Sequence, residues 1–130
     1  MDAPVFLTID EVIRLHDLQL ERFGGLEGIR DIGLLESAVA MPQAGFGEHF
    51  VHEDVYEMAA AYVFHLVKNH PFLDGNKRVG FHAAYVFLHL NGVSLELTQA
   101  DAYDLVIATA EGRTTKPELA AAFRDHARAL

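Results

Sequence analysis

The sequence has 130 residues, of which 51% are apolar and 22% are charged, a composition typical of a folded domain and not of a disordered chain. Its formal net charge of −9, with ten lysines and arginines, disfavours nucleic acid and anionic membranes as partners. The absence of cysteine excludes disulfides and thiolate metal sites.

No targeting segment is expected. Residues 1–10 lack the basic start and apolar core of a signal peptide. The longest uncharged stretch, residues 79–95, contains two histidines and an asparagine and is a poor membrane span. We therefore expect a cytoplasmic protein in which residues 1–130 form a single domain.

Helix signals begin at the amino terminus. A capping box at Thr8 opens the first predicted helix, and Gly24 ends it, because glycine adopts the left-handed conformation that a helix stop requires. A short helix is predicted over residues 33–41. A proline closes it, and residues 42–52, which have little periodicity, are predicted to form a loop or small flap.

The strongest helical patterns lie in the middle of the chain, over residues 54–69 and 76–90. Only residues 93–97 alternate like a strand. Thr98 begins a further helix, and Thr115 begins the last, which is predicted to extend to about Arg128. The expected fold is all-α, a compact bundle of about six helices.

The segment between the two strongest helices carries the chemistry. Residues 70–78 read His-Pro-Phe-Leu-Asp-Gly-Asn-Lys-Arg. The proline turns the chain out of one helix, and the next begins near Asn76, so its free N–H groups and positive dipole end face outward. Gly75 lets a ligand approach the backbone, and the cations Lys77 and Arg78 follow. This arrangement predicts a phosphate site.

Two further side chains complete a reaction centre. His70 has the chemistry of a general base that takes a proton from an attacking hydroxyl. Asp74 is a hard oxygen ligand of the kind that binds Mg²⁺ together with substrate phosphates. Each residue alone has an ordinary explanation as a helix end, a turn or a surface charge. Their occurrence together is what favours phosphoryl or nucleotidyl transfer.

The motif resembles the signature of the Fic/Doc superfamily, His-Pro-Phe-x-Asp/Glu-Gly-Asn-Gly/Lys-Arg. It is most similar to the death-on-curing (Doc) branch, where lysine stands in place of the glycine of most Fic proteins. The resemblance covers about residues 5–112 and includes Arg30, Asp31 and residues 33–38. It implies the Fic/Doc-like fold, with a flap before the motif, and an enzyme that uses ATP and Mg²⁺.

The resemblance also implies a role for each motif residue. His70 corresponds to the general base, and Asp74 to the residue that holds Mg²⁺ against the nucleotide phosphates. Phosphate oxygens are expected to bind the backbone amides around Gly75 and two side chains, Asn76 and Arg78. The expected catalytic residues are His70, Lys77 and Arg78, and the expected ATP-binding residues are Asp74, Gly75, Asn76, Lys77 and Arg78.

Lys77 bears on which group is transferred. In Doc-like members a lysine here is associated with ATP bound in reversed orientation, so that the γ-phosphate is transferred to a Ser or Thr hydroxyl. The resemblance therefore implies a toxin kinase that inhibits translation by acting on a translation factor such as elongation factor Tu. Because the sequence lacks the glutamate motif of self-inhibited Fic proteins, restraint by a separate antitoxin protein is expected.

Several alternatives stay open. Pro71 and Gly75 are Fic-like, which leaves AMP transfer to a protein hydroxyl as a second reaction. A catalytically silent peptide-binding module is a third hypothesis. A histidine metal hydrolase is the least favoured, because pairs such as His49 and His52 lack a fixed ligand motif. The predicted flap is placed to dock a target segment, and a plain connection explains residues 42–52 almost as well.

Overall fold

The protein is described by a computed structural model over residues 3–47 and 49–130. Within these residues it has six α-helices: α1 (Ile9–Phe23), α2 (Ile32–Ala40), α3 (Val55–Asn69), α4 (Asn76–Leu90), α5 (Gln99–Ala110) and α6 (Lys116–Asp125). Two antiparallel pairs of very short strands accompany them: β1 (Gly45–Phe46) with β2 (His49–Phe50), and β3 (Val93–Leu95) with β4 (Ala127–Ala129). The predicted all-α bundle of about six helices is confirmed.

Side-chain caps determine where most of the helices begin. Thr8 and Thr115 form complete capping boxes on α1 and α6. The side chains of Asp31, Asp54 and Thr98 accept hydrogen bonds at the starts of α2, α3 and α5. α4 differs, because its N-cap is Gly75 and no side chain caps it. Its first N–H groups are therefore left without an intrahelical or side-chain partner.

Helix α3 lies at the centre of the bundle, where it packs against α2, α4, α5 and α6. Its residues Ala59–Ala61 are fully buried, and these small side chains let neighbouring helices approach closely. Tyr62 is also fully buried, and its hydroxyl accepts a hydrogen bond of 2.9 Å from the N–H of Leu7. Apolar burial of this kind contributes about 25 cal/mol per Å² to stability. Packing thus fixes both helices that flank the motif.

The carboxyl-terminal region differs from the prediction. The predicted strand over residues 93–97 is observed as β3, two residues shorter, and its partner β4 was not predicted. Arg128 was expected in the last helix but lies in β4, where its Nε donates to Glu96 at 2.6 Å. A three-residue strand is too short to show an alternating pattern, and its pairing partner lies more than 30 positions away in sequence.

The flap predicted over residues 42–52 is a small hairpin, made by β1 and β2 after a single turn of 3₁₀-helix at Met41–Gln43. Residue Glu48 within it lies outside the described residues. Phe46 is 90% exposed near the tip. Phe50, at the base, packs on Phe6 with ring centroids 5.5 Å apart. The described residues of the segment therefore pair as a hairpin, and its docking role stays a prediction.

In the part of the chain that the structure describes, no helix is both long and apolar enough to cross a bilayer.

Candidate active site

The predicted motif forms the connection between α3 and α4. His70 ends α3 with a φ of 52°, in the left-handed region. Among the described residues it is the only non-glycine residue with a positive φ, a conformation that requires support from its surroundings. Phe72 anchors the loop in the core at 1% exposure, and Gly75, with a φ of 79°, leads into α4. His70 is thereby presented at the surface.

The loop between α1 and α2 supports this connection through its backbone. The N–H groups of Arg30 and Asp31 donate to the carbonyl of Pro71, at 2.7 and 3.1 Å. The N–H of Leu73 donates to the carbonyl of Gly28 at 3.0 Å. Ile29 and Phe72 face each other between these bonds as in an antiparallel strand pair. The motif is therefore held by a segment about 40 residues earlier in sequence.

The side chain of Arg30 holds the end of α3. Its Nε donates to the carbonyl of His70 at 2.7 Å, and its Nη2 donates to the carbonyl of Asn69 at 2.9 Å. Carbonyls at a helix carboxyl terminus have no intrahelical partner, and a cation there is favoured by the helix dipole. Arg30 thus stabilises the backbone position from which the His70 ring projects.

Asn76, the first residue of α4, is 5% exposed and makes only internal contacts through its amide. Its Oδ1 accepts from the N–H of Phe72 at 2.9 Å, and its Nδ2 donates to the carbonyl of Phe72 at 3.0 Å. The same Nδ2 donates to Nδ1 of His70 at 3.0 Å. The phosphate contact that the resemblance implies for Asn76 stays a prediction. In this structure its side chain fixes the loop and the His70 ring.

The carboxylate of Asp74 is exposed and held by two backbone N–H groups. Leu26 donates to Oδ2 at 3.2 Å, and Gly75 donates to Oδ1 at 2.9 Å. These bonds, in that order, lower the pKa of Asp74, and the charge of Arg78 acts in the same direction. The group is therefore present as an ionised carboxylate at the surface of the motif.

The two cations of the motif lie in the first turn of α4 and are both exposed. The guanidinium carbon of Arg78 lies 4.5 Å from the ring centroid of Phe23, at the end of α1, in a cation–π contact. Lys77 precedes it on the same turn. Together with the uncapped N–H groups and the absence of acidic residues from that turn, they make the amino terminus of α4 a site suited to an anion.

The site is a surface and not a closed chamber. A cavity of about 430 Å³ lies beside the motif loop, but its walls come from Phe72 and from α1 and the α1–α2 loop. The polar motif residues His70, Asp74 and Lys77 do not line it. An anion at the α4 terminus would therefore bind on an open face, where contacts with a protein target are sterically possible.

Asp74 is the carboxylate of the motif that a metal ion could reach. Among residues 3–47 and 49–130 no three histidine, cysteine or carboxylate side chains are grouped closely enough to hold a metal ion by themselves. Mg²⁺ does not require such a group, since it usually binds through one or two carboxylates, waters and substrate phosphates. An ionised, exposed Asp74 beside an anion site fits that mode of binding.

The motif is evident from the sequence, whereas the residues that hold it in place are not. The six predicted site residues, His70, Asp74, Gly75, Asn76, Lys77 and Arg78, all lie on the α3–α4 connection and the first turn of α4. Arg30 was noted only as part of the resemblance, and no site role was predicted for His16. His16 is 2% exposed and hydrogen-bonded to the motif backbone. The available sequence signal for His16 is that it is a polar residue on the apolar face of α1.

Comparison with known proteins agrees with this geometry. A sequence model of the Fic/DOC family matches residues 6–88. The protein kinase doc of Escherichia phage P1 is 32% identical over 118 residues, which are 91% of this chain and 92% of that protein. The toxin Doc of Mycolicibacterium smegmatis (strain ATCC 700084 / mc(2)155) is 47% identical over 73 residues, 56% of each chain.

The helical fold, the motif and these matches together define one class of protein. The chain belongs to the Fic/DOC family, and its predicted resemblance to the death-on-curing branch is confirmed.

Proposed function

We propose that this protein is a Doc-type toxin that transfers the γ-phosphate of ATP, with Mg²⁺, to a Ser or Thr hydroxyl of a translation factor such as elongation factor Tu. The observation that carries the proposal is the position of Lys77, in the first turn of a helix whose amino terminus no side chain caps. The names of the two relatives, one a toxin and one a protein kinase, support the same reading.

The proposed reaction is a direct transfer. The acceptor hydroxyl oxygen bonds to the γ-phosphorus as the bond from that phosphorus to the β,γ-bridging oxygen breaks, and ADP leaves. His70 takes the hydroxyl proton, and the α4 amino terminus with Lys77 and Arg78 stabilises the phosphate charge. Since Nδ1 of His70 accepts from Asn76 in this structure, proton uptake at that atom requires the bond to be released when substrate binds.

Mg²⁺ would be held by Asp74 and would supply positive charge to the phosphates. Each carboxylate oxygen has a further lone pair, so Asp74 could hold Mg²⁺ while Leu26 still donates to Oδ2, and only the bond from Gly75 to Oδ1 would be exchanged. The N–H of Gly75 would then be open to a phosphate oxygen. This exchange explains how one short loop can provide both a metal ligand and an anion site.

The proposed setting is the cytoplasm, where ATP and translation factors are available, and the proposed restraint is an antitoxin protein. A formal net charge of −9 favours a protein partner with a basic patch over nucleic acid or an anionic membrane. AMP transfer is the second candidate function, and the observation that favours it is the Fic-like pair Pro71 and Gly75.

ATP labelled separately at its α- and γ-phosphates tests the proposal. The purified protein is incubated with Mg²⁺, elongation factor Tu and each label, and the modified residue is identified by mass spectrometry. Label from the γ position on a Ser or Thr is the expected result. Label from the α position would replace the kinase proposal with AMP transfer, and no label from either would favour the silent binding module.

Matched variants sharpen this test. His70→Ala should reduce transfer by roughly 10²–10⁴-fold, the usual contribution of a general base, whereas His89→Ala, at an exposed histidine near the other end of α4, should not. Lys77→Gly should shift transfer from the γ- towards the α-phosphate. Lys68→Gly makes the same change at an exposed lysine in the last turn of α3 and should leave the label position unchanged.

A further inference from the structure

His16 lies in α1, outside the motif, and makes two contacts with it. The residue is 2% exposed. Its ring stacks flat on Phe72, with centroids 3.7 Å apart and planes at 8°. Its Nε2 lies 2.7 Å from the backbone carbonyl oxygen of Asp74. A carbonyl oxygen only accepts hydrogen bonds, so Nε2 of His16 carries the hydrogen and donates it.

The carbonyl that His16 holds belongs to the peptide between Asp74 and Gly75. In a planar trans peptide the C=O and the N–H point in opposite directions. With the oxygen of Asp74 turned inward to His16, the N–H of Gly75 points to the exposed side, where it meets the Asp74 carboxylate at 2.9 Å. The direction of this one hydrogen bond thus sets the direction of a donor at the proposed anion site.

Because residue 75 is a glycine, the orientation of the Asp74–Gly75 peptide has to be stabilised by a contact. Glycine populates positive and negative φ about equally, so the peptide before it can rotate at little conformational cost. Rotation would turn the carbonyl oxygen of Asp74, a partial negative charge, towards the anion site in place of the N–H. A Cβ on Gly75 would lie 3.4 Å from Nε2 of His16, which shows how closely the ring lies beneath this peptide.

We propose that His16 is a positioning residue of the active site, which holds the Asp74–Gly75 peptide with its N–H directed at the substrate phosphate. The proposal rests on the proposed function for the identity of that anion, ATP with Mg²⁺. The orientation of the peptide itself does not depend on it. His16 acts through the backbone and does not touch the substrate.

Two substitutions separate its contacts. His16→Phe keeps an aromatic ring against Phe72 and removes the donor. His16→Gln removes the ring, and its Nε2 reaches about as far along the side chain as the imidazole Nε2, so the donor is kept. Both variants should melt at a lower temperature than the parent, because a buried contact is lost in each. Stability alone therefore does not distinguish them.

The affinity for Mg·ATP, measured by calorimetry, does distinguish them. His16→Phe should weaken binding about tenfold, the effect of one hydrogen bond, while His16→Gln should stay within about threefold of the parent. Equal affinity of His16→Phe and the parent would overturn the proposal. So would losses of affinity that follow the melting temperature in both variants.

NMR spectroscopy tests the positioning role of His16 in the absence of nucleotide. In the parent, ¹⁵N spectra should show the hydrogen of neutral His16 on Nε2, and the Gly75 amide resonance should move in His16→Phe but much less in His16→Gln. A hydrogen on Nδ1 instead, or an unmoved Gly75 resonance in His16→Phe, would refute the role of His16. If the parent does not bind Mg·ATP, the proposed function fails, and these spectra still test the positioning role.

Discussion

The side-chain amide of Asn76 donates a hydrogen bond of 3.0 Å to Nδ1 of His70. The amide cannot be turned the other way round, because its oxygen accepts from the N–H of Phe72. A neutral His70 therefore carries its hydrogen on Nε2, and the lone pair of the ring faces Asn76. Asn76 thus sets both the rotation and the tautomer of the proposed base before substrate arrives.

Replacement of Asn76 should damage activity more than stability can explain. Asn76→Ala removes three hydrogen bonds and leaves the buried backbone of Phe72 without partners. We expect the free energy of unfolding, measured with urea, to fall by about 2–4 kcal/mol, since each buried group left unpaired costs about 1–3 kcal/mol. Transfer activity should fall at least tenfold under conditions where the variant is folded, because the loop that carries His70 loses the two bonds to Phe72 that hold it, whereas the bond to Nδ1 has in any case to be released for proton uptake.

Asn91 provides the matched control at the opposite end of α4. Its side chain also makes three hydrogen bonds, with both backbone groups of Val5 and with the carbonyl of Phe87. Asn91→Ala should lower stability without changing the activity of the folded fraction. If the two variants lost activity in the same proportion to stability, the orienting role of Asn76 would be wrong.

We expect Arg30 to stabilise the backbone at His70. Arg30→Ala removes two charge-assisted hydrogen bonds to the carbonyls of Asn69 and His70. The unfolding free energy should fall by about 1–2 kcal/mol, less than two buried bonds would give, because the guanidinium is exposed. Amide hydrogen exchange should become faster at the end of α3.

Arg30→Lys tests whether the fork geometry of the guanidinium is needed. A lysine keeps the charge but offers a single ammonium in place of two fixed donors. It should recover less than half of the stability lost in Arg30→Ala. Full recovery would mean that the charge at the helix end, and not the paired hydrogen bonds, is what stabilises this turn.

The parts of the structure that the sequence predicted are those with local signals. The helices follow from caps such as Thr8 and Thr115 and from periodic apolar positions, which need only neighbouring residues. The motif was recognisable because its six site residues lie within nine consecutive positions. Both depend on information contained in short windows of the chain.

The parts that were missed depend on contacts between distant positions. His16 and Asp74 are 58 residues apart, and Arg30 and His70 are 40 apart. The pairing of β3 with β4 joins strands of three residues each. Nothing in the local sequence around His16 or Arg30 tells which backbone carbonyl each will meet. Only the packing of α1 and its following loop against the motif determines that.

We expect the absence of a side chain at Gly25 to leave the space that the Asp74 carboxylate occupies. A Cβ on Gly25 would lie 2.7 Å from Oδ2 of Asp74 and 3.0 Å from a methyl group of Leu20. Gly25→Ala should therefore displace the carboxylate and raise the concentration of Mg²⁺ needed for half-maximal transfer by about threefold or more, equivalent to about 0.7 kcal/mol. The measurement is a Mg²⁺ titration of activity.

Gly24 supplies the control for backbone strain at the same turn. It also has a positive φ, 76° against 125° for Gly25, but a Cβ there meets nothing within 4 Å. Both alanine variants should lose about 1–3 kcal/mol of stability from strain. Only Gly25→Ala should change the Mg²⁺ requirement, and an equal change in Gly24→Ala would show that strain, not the contact with Asp74, is responsible.

The stability of the bundle should depend on pH through His65, a histidine outside the motif. His65, on α3, accepts a hydrogen bond of 3.1 Å from the ammonium group of Lys116 on α6. Burial, and then the charge of Lys116, lower the pKa of His65 from 6.5 to about 4. As pH falls through this range the unfolded chain binds a proton that the folded protein does not, so the free energy of unfolding decreases.

Two variants should reduce this dependence in a fixed order. Lys116→Met removes the second cause of the shift and leaves burial and the smaller effect of His52, so the loss of unfolding free energy between about pH 7 and pH 5 should be smaller than in the parent. His65→Gln keeps an acceptor for Lys116 and removes the titrating ring, so its loss should be the smallest. Urea unfolding at both pH values measures this loss of unfolding free energy. An equal loss in all three proteins would exclude His65 as the cause of the pH dependence.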